Sequence, residues 1–297
     1  MFDTAPLLNC NGRILRLDRP RVMGIVNVTP DSFSGDGVRD DVDAAVAHAL
    51  QLLEEGADLL DIGGESTRPG ADDVPLEVEL ARVIPVVERL AQATTVPISI
   101  DTSKPEVMRA AVAAGAGMIN DVYGLRRDGA LDVAAALGVP VVLMHMLGEP
   151  RSMQDSPQFD DVVGQVHRFL AERIFAAEMA GIAKKNIVVD PGFGFGKTTA
   201  HNLQLLAQLQ RFTELGVPVL AGISRKRSIG EITGRTDPQQ RAVGSAAAHM
   251  IATQNGAMLL RAHDVAATID ALNVWLAVAA VPAPRKEVVR QEIVWPE

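Results

Sequence analysis

A chain of 297 residues is long enough for a large core and falls within the size range of a single α/β barrel. A net charge of −9 and an aromatic content of 4% argue against a general nucleic-acid surface and against base-stacking platforms. The single cysteine, Cys10, excludes an internal disulfide and suits the cytosol. The opening MFDTAPLLNCNG has neither the basic lead nor the apolar run of a signal peptide, and no apolar segment reaches the roughly 18 residues of a membrane helix. A cytoplasmic protein without membrane or nucleic-acid partners is expected.

In chain order, Leu7 to Leu17 places Asn9–Gly12 between apolar residues, a small β-hairpin plugging one end of the fold. The apolar run 21–27 (RVMGIVN) reads as a buried strand ending at Asn27. A long polar, Gly-rich loop follows, from Asn27 to about Asp40, with Phe33 at its middle. Ordinary βα connections take about 2–6 residues, so this one is expected to close over something.

A unit then repeats: a helix, a Gly near its end, and an apolar strand. It occurs at 54–63, 113–121, 136–146, 179–192, 214–222 and 254–264, and a further strand without the Gly lies at 96–101. Helices are expected over 42–55, 75–93, 105–114, 129–137, 159–180, 203–212, 238–253 and 265–278. Eight mostly continuous apolar strands alternating with helices predict a parallel (β/α)8 TIM barrel. A doubly wound sheet is less well matched, because no GxGxxG follows the first strand. The expected organisation is one domain over 1–281 and a charged tail over 282–297.

In such a barrel the C-terminal strand ends build the active site. Those ends are Asn27, Asp61, Asp101, Asn120 with Asp121, His145, Asp190, Ser224, and Arg261 with His263. Asp61 and Asp121 could equally cap the helices that follow. Asp101, Asn120 and Asp190 form a set suited to a flat heterocycle rich in N–H and C=O groups. Met144, Val122 and Phe195 could pack on its ring. Cations gather at Ser224–Ser228 (SRKRS), at Arg261 and at His263, where loops seven and eight of this barrel commonly bind phosphate. DPGFGFGKTT (190–199) imitates a P-loop, but Pro191 stands where its pattern needs Gly. His145 reads as structural or supporting, and no Cys/His spacing suggests zinc.

Eight segments in register, NVTPDSFS (27–34), DIGGESTRPGA (61–71), IDTSKPEVMRAA (100–111), INDVYG (119–124), LMHM (143–146), DPGFGFGK (190–197), GISRK (222–226) and LLRAHDV (259–265), resemble the dihydropteroate synthases. The resemblance covers about Val22 to Val278. It implies a transferase of folate biosynthesis, a sulfonamide target, that joins 6-hydroxymethyl-7,8-dihydropterin diphosphate to p-aminobenzoate and releases diphosphate, with Mg²⁺ as cofactor. It further implies that Asp101, Asn120, Asp190 and Lys226 bind the pterin. Asn27 would hold Mg²⁺, and Thr67, Arg261 and His263 would meet the phosphates. Arg68, Pro69, Phe33 and Phe195 would shape the p-aminobenzoate site. Asp101, Asp190, Lys226 and Arg261 are the expected catalytic set. Some family members place a Ser directly after SRK to hold the benzoate carboxylate, where this chain has Arg227. The loops 28–39 and 64–73 are expected to order only with ligand. The Ala-rich helices 241–252 and 265–277 are expected to form a homodimer face. A methyltetrahydrofolate:corrinoid methyltransferase and a non-catalytic pterin-binding paralogue are the alternatives.

Overall fold

The protein is described by a computed structural model covering residues 5–29, 38–66, 73–148 and 157–282. Phe33, Thr67, Arg68, Pro69 and most of the tail lie outside the described residues.

A two-stranded antiparallel hairpin, β1 (Leu7–Cys10) and β2 (Arg13–Arg16), precedes the barrel. The barrel strands are β3 (Arg21–Asn27), β4 (Leu59–Gly63), β5 (Ile98–Asp101), β6 (Met118–Asp121), β7 (Val141–Met144), β8 (Ile187–Asp190), β9 (Val219–Ala221) and β10 (Ala257–Ala262). They run parallel in chain order, and β10 pairs with β3 to close the ring. Helices lie between them, as βαβ crossovers require.

Several element bounds differ from expectation for local reasons. The helix expected at 203–212 starts earlier, at Thr199, because Thr198 caps it through His201 N; it is then interrupted after Ala207. A separate helix (Arg227–Thr233) follows β9; it has seven residues, too few for a clear periodic pattern.

The core is layered along the barrel axis. At the bottom, Leu8, Cys10, Leu15 and Leu17 of the hairpin pack against Met23, Leu59, Met118, Val142, Val188, Leu220 and Leu259 of the strands. The hairpin is therefore the expected plug. Burial pushes the Cys10 thiol up to about 12, so it is inert at neutral pH. Side chains on a strand return to the same face every second residue. Two residues beyond Leu59, Met118, Val142, Val188 and Leu259 stand Asp61, Asn120, Met144, Asp190 and Arg261. The barrel interior thus changes from apolar to polar in a single step up the strands. Among the described residues no helix is long and apolar enough to cross a membrane.

Candidate active site

That polar layer is a connected network. Asn120 donates through Nδ2 to Asp61 Oδ2 at 2.9 Å, and Arg261 donates through Nε to the same oxygen at 2.6 Å. Arg261 Nη2 reaches Asp101 Oδ2 at 2.7 Å. Asp61 is fully buried. With Nδ2 turned to a carboxylate, the amide oxygen of Asn120 is left as an acceptor for another group.

Asp61 is therefore no helix cap: it orients Asn120 and Arg261. Its signal in the sequence was the two-residue spacing from Leu59, the same as Met118 to Asn120 and Val188 to Asp190. Asp121, by contrast, accepts from the backbone of Tyr123 and Leu125 and serves the turn, where Leu125 has φ 59°.

Asp190 lies across the mouth, its Oδ1 accepting from Gly192 N at 2.7 Å. Gly222, just past the seventh barrel strand, adjoins this carboxylate: a Cβ there would stand 3.4 Å from Asp190 Oδ2, an ordinary contact. Burial pushes Asp190 up to about 6, against the Gly192 amide and the charges of Lys226, Lys197 and Arg261. Burial pushes Asp101 up to about 7, with Arg261 opposing and Asp61 adding to the rise. Burial works against the Arg261 cation, yet Asp61 and Asp101 raise its pKa on balance.

Apolar walls complete the mouth. Val122, Met144, Met146 and Phe195 form a small cluster, and Lys226 Nζ sits 4.2 Å from the Phe195 ring centroid. The expected residues Asp101, Asn120, Met144, Asp190, Phe195, Lys226 and Arg261 thus share one site. His263 adjoins it on the loop after β10, its backbone N and Nδ1 both within 3.2 Å of Ser224 Oγ. Asn27 ends β3 in register with Gly63.

The cationic run divides by function. Arg225, at φ 55°, pairs with Asp264 through Nε and Nη2, and its backbone N donates to Ser245 Oγ at 2.9 Å. Arg227 is exposed and pairs with Glu231 at 2.6 Å, one turn on. Within this triplet only Lys226 faces the mouth. Arg261, expected on phosphate, commits Nε and Nη2 to carboxylates, because two neighbouring strands present buried acids that need a cation.

The sequence family whose signature matches residues 23–263 is that of the pterin binding enzymes. Dihydropteroate synthase of Escherichia coli strain K12 is 50% identical over 267 residues, spanning 90% of this chain and 94% of its own length. The Haemophilus influenzae enzyme of that name is 49% identical over 92% of this chain and 98% of its own. Among solved structures, Xanthomonas albilineans dihydropteroate synthase with 4-aminobenzoic acid superposes with a TM-score of 0.90 at 71% identity, covering 94% of this chain and 100% of that one. The same enzyme with 7,8-dihydropteroate gives 0.86 at 68% identity over 93% of this chain and 100% of that one. A Yersinia pestis homologue in a sulfonamide drug complex gives 0.88 at 48% identity over 93% and 100%.

The chain belongs to the pterin-binding enzymes. Its activity within that class is dihydropteroate synthesis, a transferase reaction joining a dihydropterin to p-aminobenzoate.

Proposed function

We propose that the polar layer reads the pterin. Asp101 and Asp190 accept its paired ring and exocyclic N–H groups, and the Asn120 amide oxygen takes a further donor. The single observation carrying this reading is the Asp61–Asn120–Arg261–Asp101 network, which fixes acceptors toward a half-apolar mouth. Met144 and Phe195 flank the ring, and Lys226 holds its charge between Phe195 and Asp190. Arg261 opposes the upward push of burial on both acids of the pterin end.

The diphosphate then falls to His263 and the neighbouring Ser224, with Thr67 added by family resemblance. Asn27 would hold Mg²⁺. Mg²⁺ commonly keeps several waters and substrate phosphates and takes few protein oxygens. When bound, the ion neutralises charge on the leaving group.

The reaction is SN1-like. The methylene C–O bond breaks and its electron pair leaves with diphosphate. The electron-rich pterin stabilises the cation, and ionised Asp101 and Asp190 favour that positive character. The aromatic amine attacks the methylene carbon, the C–N bond forms and a proton is released. An aniline nitrogen is neutral at pH 7, so a strong base is not needed. Arg68, Pro69, Phe33 and Phe195 shape the p-aminobenzoate site in this reading, and a sulfonamide would compete there.

We place the reaction in the cytoplasm and the protein in a homodimer. The dimer face comprises the adjacent helices Ala242–Gln254 and Val265–Ala279, which expose Val243, Ile251, Val274 and Val278.

Turnover decides the catalytic reading. With 6-hydroxymethyl-7,8-dihydropterin diphosphate, p-aminobenzoate and Mg²⁺, one diphosphate should be released per 7,8-dihydropteroate formed. Pterin binding without turnover would point to the non-catalytic paralogue, and methyl transfer from methyltetrahydrofolate to a corrinoid would point to the methyltransferase.

A further inference from the structure

Within the P-loop-like segment DPGFGFGK, Asp190 and Phe195 have tasks in the reaction above, but its last residue, Lys197, has none; it is buried, and burial pulls its pKa down to about 7 with Asp190 opposing, so it carries its charge below that pH. Its ammonium has no carboxylate within ion-pair distance among the described residues. Instead Lys197 Nζ donates to Gly192 O at 2.8 Å, to His145 Nδ1 at 2.9 Å and to Phe195 O at 3.0 Å, with His145 O at 3.3 Å. An ammonium has three N–H bonds, and three short acceptors meet them.

A phosphate-binding loop turns its N–H groups inward; here the polarity is reversed. Gly192 N is spent on Asp190 Oδ1, Gly194 N on Asn202 Oδ1 and Phe195 N on Gly192 O, while carbonyls converge on the lysine. The glycines serve this inversion. Gly192 has φ 72°, and a Cβ there would lie 1.9 Å from His145 O, one of the carbonyls around Nζ. Gly196 has φ 64°, and its Cβ would lie 2.6 Å from Leu147 O.

His145 completes the cage as a neutral ring. Burial and the Lys197 charge hold its pKa well below the usual histidine range, so the ring is neutral, and Nδ1 accepts from Nζ in the tautomer that carries its proton on Nε2. Phe169 packs edge-on against it at 4.8 Å between centroids.

We propose that Lys197 is a positioning residue for pterin recognition: its ammonium, wrapped by the carbonyls of His145, Gly192 and Phe195, folds the loop that sets Phe195 and Asp190. Two site groups depend on that loop. Phe195 places its ring beneath Lys226, and Gly192 N holds Asp190 Oδ1. Lys197 also joins Lys226 and Arg261 in opposing the upward push of burial on Asp190. The inference rests on Asp190 reading the pterin, so the test includes Asp190→Asn.

The experiment is titration of full-length protein with a pterin lacking the diphosphate, between pH 5 and pH 8. Lys197→Met keeps an unbranched stem, one atom shorter, and removes the cation. It should retain the wild-type circular dichroism, move the acid limb of pterin affinity up by about one pH unit, and weaken binding roughly five- to tenfold at pH 6. In Lys197→Ala, n-propylammonium should restore most of the affinity and n-propanol should not. Should Lys197→Met fail to fold, refolding of Lys197→Ala decides: recovery with the ammonium alone supports the cage, and equal recovery with propanol, or none, overturns it. A folded Lys197→Met with unchanged affinity and acid limb overturns the proposal, as does a loss that the ammonium leaves unrepaired. If Asp190→Asn binds as wild type, the pterin assignment itself fails. If Asp190→Asn loses affinity while Lys197→Met does not, only the role of Lys197 fails.

Discussion

Arg261 Nε lies 2.6 Å from Asp61 Oδ2, joining the last and second strands of the barrel between residues 200 positions apart. Asp61 is fully buried and shares that oxygen with Asn120. The pair therefore fixes both the cation and the amide of the site. Asp61→Asn should lower stability by about 1–3 kcal/mol, the range for charged hydrogen bonds and exposed desolvation costs. It should also weaken pterin binding, because Asn120 loses the carboxylate that selects its orientation. Urea denaturation and pterin calorimetry on the same preparation check both; a stable variant with full affinity would separate Asp61 from the site.

The buried acids predict how stability and binding depend on pH. Asp101 is pushed to about 7 and Asp190 to about 6, against 3.8 for an unperturbed carboxyl, chiefly by burial. Between 3.8 and these values the folded protein holds protons that the unfolded chain has lost. Rising pH through that window therefore removes stability contributed by these two groups. A pterin that donates to the ionised acids favours loss of those protons. Binding at pH 6 should release protons, and release should fade by pH 8. Calorimetry in buffers of different ionisation enthalpy measures it; proton uptake at pH 6 would contradict the assignment.

Lys104 bridges Glu65 and Glu79 at the root of the segment leading to Thr67, and Glu79 is fully buried. Thr102 Oγ1 donates to Glu79 Oε1 at 2.6 Å, so the second acidic oxygen depends on the lysine. Lys104→Met leaves a buried carboxylate without its cation, which costs about 3–5 kcal/mol. The double variant Lys104→Met/Glu79→Gln should recover much of that loss in denaturant unfolding. Equal losses in single and double variants would show that the pair contributes little.

His263→Ala should weaken inorganic diphosphate and the full substrate while leaving a pterin without phosphates almost unaffected. The basis is the anchoring of His263 by Ser224, beside and not within the carboxylate network. Competition titrations with the two ligands separate the cases, and equal losses would place His263 on the ring.

Much of this architecture was legible because each strand announces itself as an apolar run, often behind a helix-ending glycine. Asn120 and Asp190 were legible as the polar ends of such runs. Asp61 was left open because a strand-end aspartate looks the same in sequence whether it caps the next helix or crosses the barrel to Arg261. Arg225, Lys226 and Arg227 are consecutive cations, yet one pairs with Asp264, one faces Phe195 and one pairs with Glu231. Composition cannot separate them, since the turn at Arg225 decides their directions. DPGFGFGKTT imitates a P-loop because glycine permits the inverted loop as readily as the phosphate-binding one.

The most direct test of the account is calorimetry of Asp190→Asn with a pterin lacking the diphosphate, at pH 7.5. Wild type should bind, and the variant should lose about 1.5–3 kcal/mol of binding free energy, the value of a charged hydrogen bond, with its melting behaviour retained. Unchanged affinity in the folded variant would remove Asp190 from the pterin site and contradict the reading of the barrel mouth.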